Sequence, residues 1–217
     1  MLAFSTDDEV ELALPRVLMQ LRGNRLLAYP TETTYGLGSR SERRAVDRLA
    51  TFKGRAARKP FLLLVDGLAM LDALDLQLTR AALRLSSSFW PGPLTLVLPG
   101  SVRQRDPFLS GPEGQVAVRC TSHAGARRII HALGEPITST SANRAGLPSA
   151  ASPAEIVREW GVEIARGDLL VLDGGPLAAS LPSTVVDCSG PLPRVVRAGA
   201  IGIAALRAVE PDLVGDV

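Results

Sequence analysis

The sequence predicts an α/β fold in which one twisted, mixed β-sheet is flanked by helices. Three observations point there. Strand-sized apolar runs alternate with segments whose apolar residues recur at helical spacing. Hydrophobic residues make up 46% of the 217 positions and charged residues 21%, which suits a globular chain with a substantial core. No internal repeat or long linker breaks the alternation, and strands follow too densely for eight equal βα units, which excludes that barrel. One domain over 1–217 is the expectation.

The elements follow in order. Residues 25–29 form a short apolar run closed by Pro30, a strand that delivers Thr31-Glu32-Thr33-Thr34 to a loop. Ser41 is placed to cap a helix whose apolar positions Ala45, Val46, Leu49, Ala50 and Phe52 keep helical spacing, with Gly54 as its stop. A strand is expected at 61–65, then helices over 68–76 and 79–89, the second ended by Pro91. Residues 94–98 read as a strand and 100–114 as a loop rich in Gly, Pro, Ser and Asp. Val116 to Arg119 is a strand that ends on a positive charge. A helix over 122–133 stops at Gly134, after which Pro136-Ile137-Thr138 leads into a hydroxyl-rich loop. Ser152-Pro153-Ala154-Glu155 combines an N-cap hydroxyl, a first-position proline and a third-position glutamate, so a helix runs from there to about Trp160. Strands at 169–172, 184–186 and 195–196 and a closing helix over 201–209 complete the chain.

A formal net charge of +2 with Arg spread along the chain does not describe a protein that coats nucleic acid. A local basic patch is present between Arg40 and Lys59, where Arg40, Arg43, Arg44, Arg48, Lys53, Arg55 and Arg58 face only Glu42 and Asp47. Cys120 and Cys188 are too few for a disulfide framework. Asp7, Asp8 and Glu9 occupy the place where a secretory leader would be apolar, and no run approaches a membrane span. A cytoplasmic protein without membrane contact is expected.

Only two lysines occur, Lys53 and Lys59, both inside Phe52-Lys53-Gly54-Arg55-Ala56-Ala57-Arg58-Lys59-Pro60. Lysine is a compact, rotatable point charge suited to phosphate oxygens, whereas arginine is a planar fork. The stretch therefore predicts an anion-handling loop. Three segments bring small hydroxyl and amide groups to strand ends: Thr31 to Thr34, Thr138 to Asn143, and Ser183-Thr184. Singly, each reads as a turn or cap; together with the basic loop they read as a binding site for phosphate, carboxylate or amino groups.

Seven separated motifs then carry a resemblance. They are 29–38 (YPTETTYGLG), Lys53-Gly54-Arg55 with Lys59-Pro60, Trp90-Pro91-Gly92-Pro93-Leu94-Thr95, Val116-Ala117-Val118-Arg119, Thr140-Ser141-Ala142-Asn143 with Gly146 and Pro148, Ser183-Thr184-Val185-Val186-Asp187, and Arg197-Ala198-Gly199-Ala200-Ile201. In this order, from about Leu14 to Ile203, the chain resembles the YrdC-like family of threonylcarbamoyl-AMP synthases. The resemblance implies a sheet curved around a positively charged cavity, in the short, single-domain form. It implies an enzyme that joins L-threonine, bicarbonate and ATP into threonylcarbamoyl-adenylate and pyrophosphate, for N6-threonylcarbamoyladenosine in tRNA. Mg²⁺ would accompany the triphosphate, with no metal site of the protein's own. Contact with tRNA and hand-off of the product to a transferase complex are further implications.

Carried over residue by residue, the resemblance puts Thr33, Arg119, Ser139 and Ser183 around threonine. It puts Arg55, Lys59, Ser141, Asn143, Ser149 and Arg197 on the nucleotide, and makes Lys53 and Arg55 catalytic through neutralisation of the approaching anions. The chain departs from the family pattern at Ala56, Leu64, Gln115 and Ala145. Two other readings compete. A non-catalytic RNA-binding module would use the basic helix and cavity, and a paralogue of the same fold would carbamoylate another amino acid. Cys120, His123, His131 and Cys188 match no compact zinc module, and ordinary structural roles are preferred for them. Trp90 reads as core packing and Asp173-Gly174-Gly175-Pro176 as a turn.

Overall fold

A computed structural model describes residues 1–55, 59–100, 106–144 and 146–215. Arg58, the Ala56 and Ala145 departures and part of the 100–114 loop lie outside the described residues. The chain opens with β1 (Leu2–Ala3) and α1 (Asp7–Arg22), followed by β2 (Leu26–Tyr29), β3 (Gly36–Gly38) and α2 (Arg43–Lys53). Next come β4 (Leu62–Leu64), α3 (Ala69–Ala73), α4 (Arg80–Phe89), β5 (Leu94–Leu98), β6 (Val116–Arg119) and α5 (Ala124–Leu133). The remainder is β7 (Ile137–Ser141), α6 (Pro153–Ala165), β8 (Leu169–Asp173), β9 (Thr184–Asp187), β10 (Arg194–Arg197) and α7 (Ile203–Val209).

Local chemistry explains most boundaries. Gly54 and Gly134 end α2 and α5 in the left-handed region, at φ 57° and 75°, where a side chain would be strained. Thr79 and Ser152 cap α4 and α6 through their hydroxyls. Ser41 does not cap α2; Glu42 holds that position with no side-chain hydrogen bond. The first helix, α1, was not expected from the sequence, although Thr6 and Glu9 form a reciprocal capping box at its start. Pro15 inside α1 obscures its helical pattern.

The described strands form a sheet of ten in the order β1-β8-β2-β3-β7-β4-β6-β5-β9-β10, with parallel and antiparallel neighbours mixed. Alternate residues divide between two cores. Leu26, Ala28, Leu63, Leu96, Val118 and Val186 join the cluster that includes buried residues of α2, α3, α4, α6 and α7. On the opposite face Leu27, Tyr29, Leu64, Ile137, Leu170 and Leu172 pack with α1 and α5. Those two helices cover part of that face, reaching Leu64 of β4 and Ile137 of β7, while the far parts of β7 and β4 and the same side of β6, β5 and β9 remain open.

Residues 138–141, expected as loop, belong to the central strand β7, paired antiparallel to both β3 and β4. Neighbours on both sides satisfy its backbone, so tertiary pairing overrides the loop-like composition. Its partner β3 carries two glycines because the Tyr29 ring lies across them. A Cβ at Gly38 would stand 2.1 Å from the Thr138 carbonyl oxygen, and one at Gly36 would stand 3.1 Å from Tyr29 Cζ.

Residues 174–183 link β8 to β9, which stand seven steps apart in the sheet. At about 4.8 Å per step the distance along a flat sheet is about 34 Å, close to the reach of about 36–40 Å for the extended link. The link therefore crosses the open face as a strap. Ser180 Oγ donates to the Thr33 carbonyl at 2.7 Å, and the Leu177 amide to the Ala151 carbonyl at 2.8 Å.

Candidate functional site

Under the strap, on the open part of the sheet, lies a cavity of about 420 Å³. Its floor consists of side chains from alternate strand positions that do not enter the main core: Leu62 of β4, Ala117 of β6, Thr95 of β5 and Val185 of β9. Ser139 and Ser141 of β7 face the same hollow. Three guanidinium groups reach it from different directions.

Arg119 closes β6 and is buried. Its Nη2 forms an ion pair with Glu32 Oε1 at 2.7 Å. Nη1 and Nη2 donate to Thr33 Oγ1 at 3.3 and 3.2 Å, and Nε donates to the Gly92 carbonyl at 3.3 Å. Burial works against the Glu32 carboxylate, but the Arg119 charge and the Thr121 hydroxyl outweigh it and hold the carboxyl below its ordinary range. Arg55 follows the left-handed turn at Gly54. It donates to the Lys59 carbonyl at 2.5 Å, the Pro60 carbonyl at 2.8 Å and Thr140 Oγ1 at 3.1 Å, with its guanidinium carbon 4.5 Å from the centre of the Phe61 ring.

Arg197 owes its direction to a β-bulge. Val195 pairs with Val186, but Arg197 pairs with Val185, so Val196 is the extra residue on β10. In a ladder without the bulge Val196 would pair with Val185 and Arg197 with Thr184, which would turn Arg197 to the far side of the sheet. In its actual place it donates to the Ser183 carbonyl at 2.7 Å and to Ser183 Oγ at 3.1 Å, while Ser183 Oγ lies 2.9 Å from Thr95 Oγ1. Burial lowers the pKa of Arg55, and burial followed by the Arg119 charge lowers that of Arg197. The cavity therefore concentrates positive charge beside hydroxyl groups, which suits a polyanionic ligand.

A model of the Sua5, YciO and YrdC family, described as telomere recombination, matches residues 19–199. The chain belongs to this family. Within the Sua5/YciO/YrdC family it is 33% identical over 87% of its length to the threonylcarbamoyl-AMP synthase of Bacillus subtilis (strain 168), of which it spans 54%. It is 38% identical over 84% of its length to the threonylcarbamoyl-AMP synthase of Thiobacillus denitrificans (strain ATCC 25259 / T1), of which it covers 95%. The crystal structure of P. abyssi Sua5 complexed with L-threonine superposes with a TM-score of 0.85 at 30% identity, covering 97% of this chain and 61% of that one. The chain thus spans little more than half of the first of these relatives.

Of the site residues expected from the sequence, Thr33, Arg55, Arg119, Ser139, Ser141, Ser149, Ser183 and Arg197 all line the one cavity. Lys53, Lys59 and Asn143 are not among its lining residues. Lys59 is exposed on the loop, and Asn143 lines an adjoining recess of about 240 Å³ that shares Ser149 with the cavity. The Lys53 ammonium, expected to meet substrate anions, faces the carbonyl oxygens of Ser141 and Asn143 instead. Leu64 is fully buried on the α1 and α5 side.

The sequence reading assigned no site role to Glu32, Thr95, Thr140 or Ser180, although Thr95 and Thr140 line the cavity. Glu32, Thr95 and Thr140 lie inside quoted motifs, so their positions were visible; Ser180 sits in an unremarkable strap and only the topology reveals it. Among the described residues no group of three or more His, Cys, Asp or Glu side chains is placed to hold a metal ion, and His123 has a structural role. Its Nδ1 accepts from the Ala126 amide at 3.2 Å and caps α5, and burial lowers its pKa. Both cysteines are buried thiols. Among the described residues no helix is long and apolar enough to cross a membrane.

Proposed function

We propose that this chain is a threonylcarbamoyl-AMP synthase that works as one domain around this cavity. The observation that carries the reading is the convergence of Arg55, Arg119 and Arg197 with hydroxyls of β7 and Ser183 in one hollow of about 420 Å³, a size that suits a small-molecule substrate site. L-Threonine sits with its carboxylate toward Arg119, bordered by Thr33, Ser139 and Ser183. The nucleotide lies along Arg55, Ser141, Ser149 and Arg197, with Lys59 and Asn143 at its outer end. Glu32, the carboxylate beside Arg119, is committed to that cation and to Thr121, so Mg²⁺ enters as part of the ATP substrate.

The threonine amine forms a bond to the carbon of bicarbonate with loss of water, giving a carbamate. A carbamate oxygen then attacks the α-phosphorus of ATP, and the bond to pyrophosphate breaks. Both partners are anionic, so the barrier is dominated by repulsion and by the entropy of assembling three substrates. Fixed guanidinium groups reduce the first term and stabilise the leaving pyrophosphate. The product serves tRNA modification by transfer to adenosine through a partner transferase, and the working compartment is the cytoplasm.

The competing RNA-binding reading loses its main support on α2 and at Arg40 just before it. Arg40 pairs with Glu42 and Glu135, Arg43 with Asp47, and Arg48 with Asp168, so most of that basic charge is neutralised within the chain. The deciding assay is pyrophosphate release with mass detection of the adenylate. Release must require threonine, bicarbonate and ATP together; release from ATP alone, or none at all, rejects the proposal.

A further inference from the structure

Lys53 is the last residue of α2, and its ammonium is half-buried outside the cavity. It meets the Ser141 carbonyl oxygen at 3.0 Å, Asn143 Oδ1 at 3.1 Å and the Asn143 carbonyl oxygen. An ammonium carries three N–H donors and no acceptor, so each proton has one oxygen. None remains for a phosphate.

The oxygens belong to a turn that shapes the cavity wall. Asn143 Oδ1 also accepts from Ser141 Oγ at 2.5 Å, while Asn143 Nδ2 donates to the Leu147 carbonyl at 2.5 Å. The Ala150 amide then donates to the Ala142 carbonyl at 2.8 Å and returns the chain toward β7. Ser141 and Ser149, at the two ends of this turn, both line the cavity. The left-handed residue Gly54 separates the two cations, so that Arg55 faces the cavity and Lys53 faces the turn behind it.

We infer that Lys53 is a positioning residue that fastens the 141–149 turn and so places Ser141 and Ser149, and that it does not touch the triphosphate. This rests on the synthase reading for the identity of the ligand. It also explains why a chain whose only other lysine is Lys59 keeps a lysine here. Three oxygens, two of them on a single residue, suit a compact three-way donor and not a planar fork.

The test compares the wild type with Lys53→Met, which keeps the stem, and Lys53→Arg, which keeps the charge. Titration calorimetry at pH 7 measures ATP and AMP binding, and hydrogen exchange follows the amides of residues 142–150. Lys53→Met should weaken ATP and AMP by the same factor, about ten- to a hundredfold for lost charge-assisted hydrogen bonds. Exchange in 142–150 should accelerate while the amides of β2 stay protected, showing that the fold survives. Lys53→Arg should restore neither. Selective loss of ATP over AMP by tenfold or more, or full rescue by Lys53→Arg, overturns the inference, as does unchanged exchange in 142–150. A wild type that binds neither nucleotide rejects the synthase reading, and the exchange result then decides the positioning role alone.

Discussion

Arg119→Met removes a guanidinium while preserving most of the apolar stem. Arg119 and Glu32 side chains are 5% and 20% exposed, and their charges meet at 2.7 Å. Removing one member of a buried ion pair strands the other and costs about 3–5 kcal/mol. The partial exposure of Glu32 places the cost at the low end, about 3 kcal/mol, which for a chain of this size lowers Tm by about 6–12 °C. Adding Glu32→Gln removes the stranded charge, so the double variant should be about 2 kcal/mol more stable than the sum of the single effects requires. Urea denaturation of the four proteins at pH 7 measures the cycle. A single-variant loss below about 1 kcal/mol, or additivity within about 0.5 kcal/mol, refutes the pairing argument. Because the folded Glu32 pKa is lowered, the pair contributes stability above the ordinary carboxylate pKa and loses it as pH falls through the folded value. The penalty of Arg119→Met should accordingly shrink in acid.

Arg55→Ala should reduce turnover by about 10²–10³-fold if its charge stabilises the reacting phosphates, with far-ultraviolet dichroism unchanged; near-normal pyrophosphate release would exclude the role. Burial, then the Arg55 charge, lowers the Lys53 pKa to about 8. As pH rises through that value the amine keeps two N–H groups for three oxygens, so turnover should fall, and Lys53→Met should lack this step. Selective ¹⁵N labelling of the two lysines tests the same point, since a Lys53 resonance titrating above pH 10 would contradict it. Gly38→Ala pushes a Cβ to 2.1 Å from a backbone oxygen and should cost more than about 3 kcal/mol. Gly54→Ala meets nothing within 4 Å and should cost about 1 kcal/mol through its positive φ alone, and thermal melts rank the two.

Much of the site was legible because its residues sit at punctuation points. Arg119 ends a strand, Arg55 follows a helix-stopping glycine, Thr33 lies in the loop that Pro30 opens and Ser183 follows Pro182, so motif and turn chemistry locate them. The role of Lys53 was less legible. A lysine beside an arginine in a basic stretch looks like a phosphate ligand until the turn that receives it is placed in space. The strand character of 138–141 was hidden for a related reason, since a hydroxyl-rich run becomes a central strand only when β3 and β4 flank it.

The amino-acid sequence by itself determined the α/β class, both ends of α4, the start of α6 and the C-terminal stops of α2 and α5, because caps, stops and periodicity act within a few residues of the chain; α6 runs on past the kink at Trp160 to Ala165, five residues beyond its expected end. The tertiary structure alone decided that eight of the expected site residues line one hollow, that a strap crosses it, and that the Lys53 ammonium meets oxygens of Ser141 and Asn143. Strand order, the Val196 bulge and the direction of the Lys53 ammonium depend on contacts between segments far apart in sequence, and no local pattern encodes which distant partner a side chain will meet.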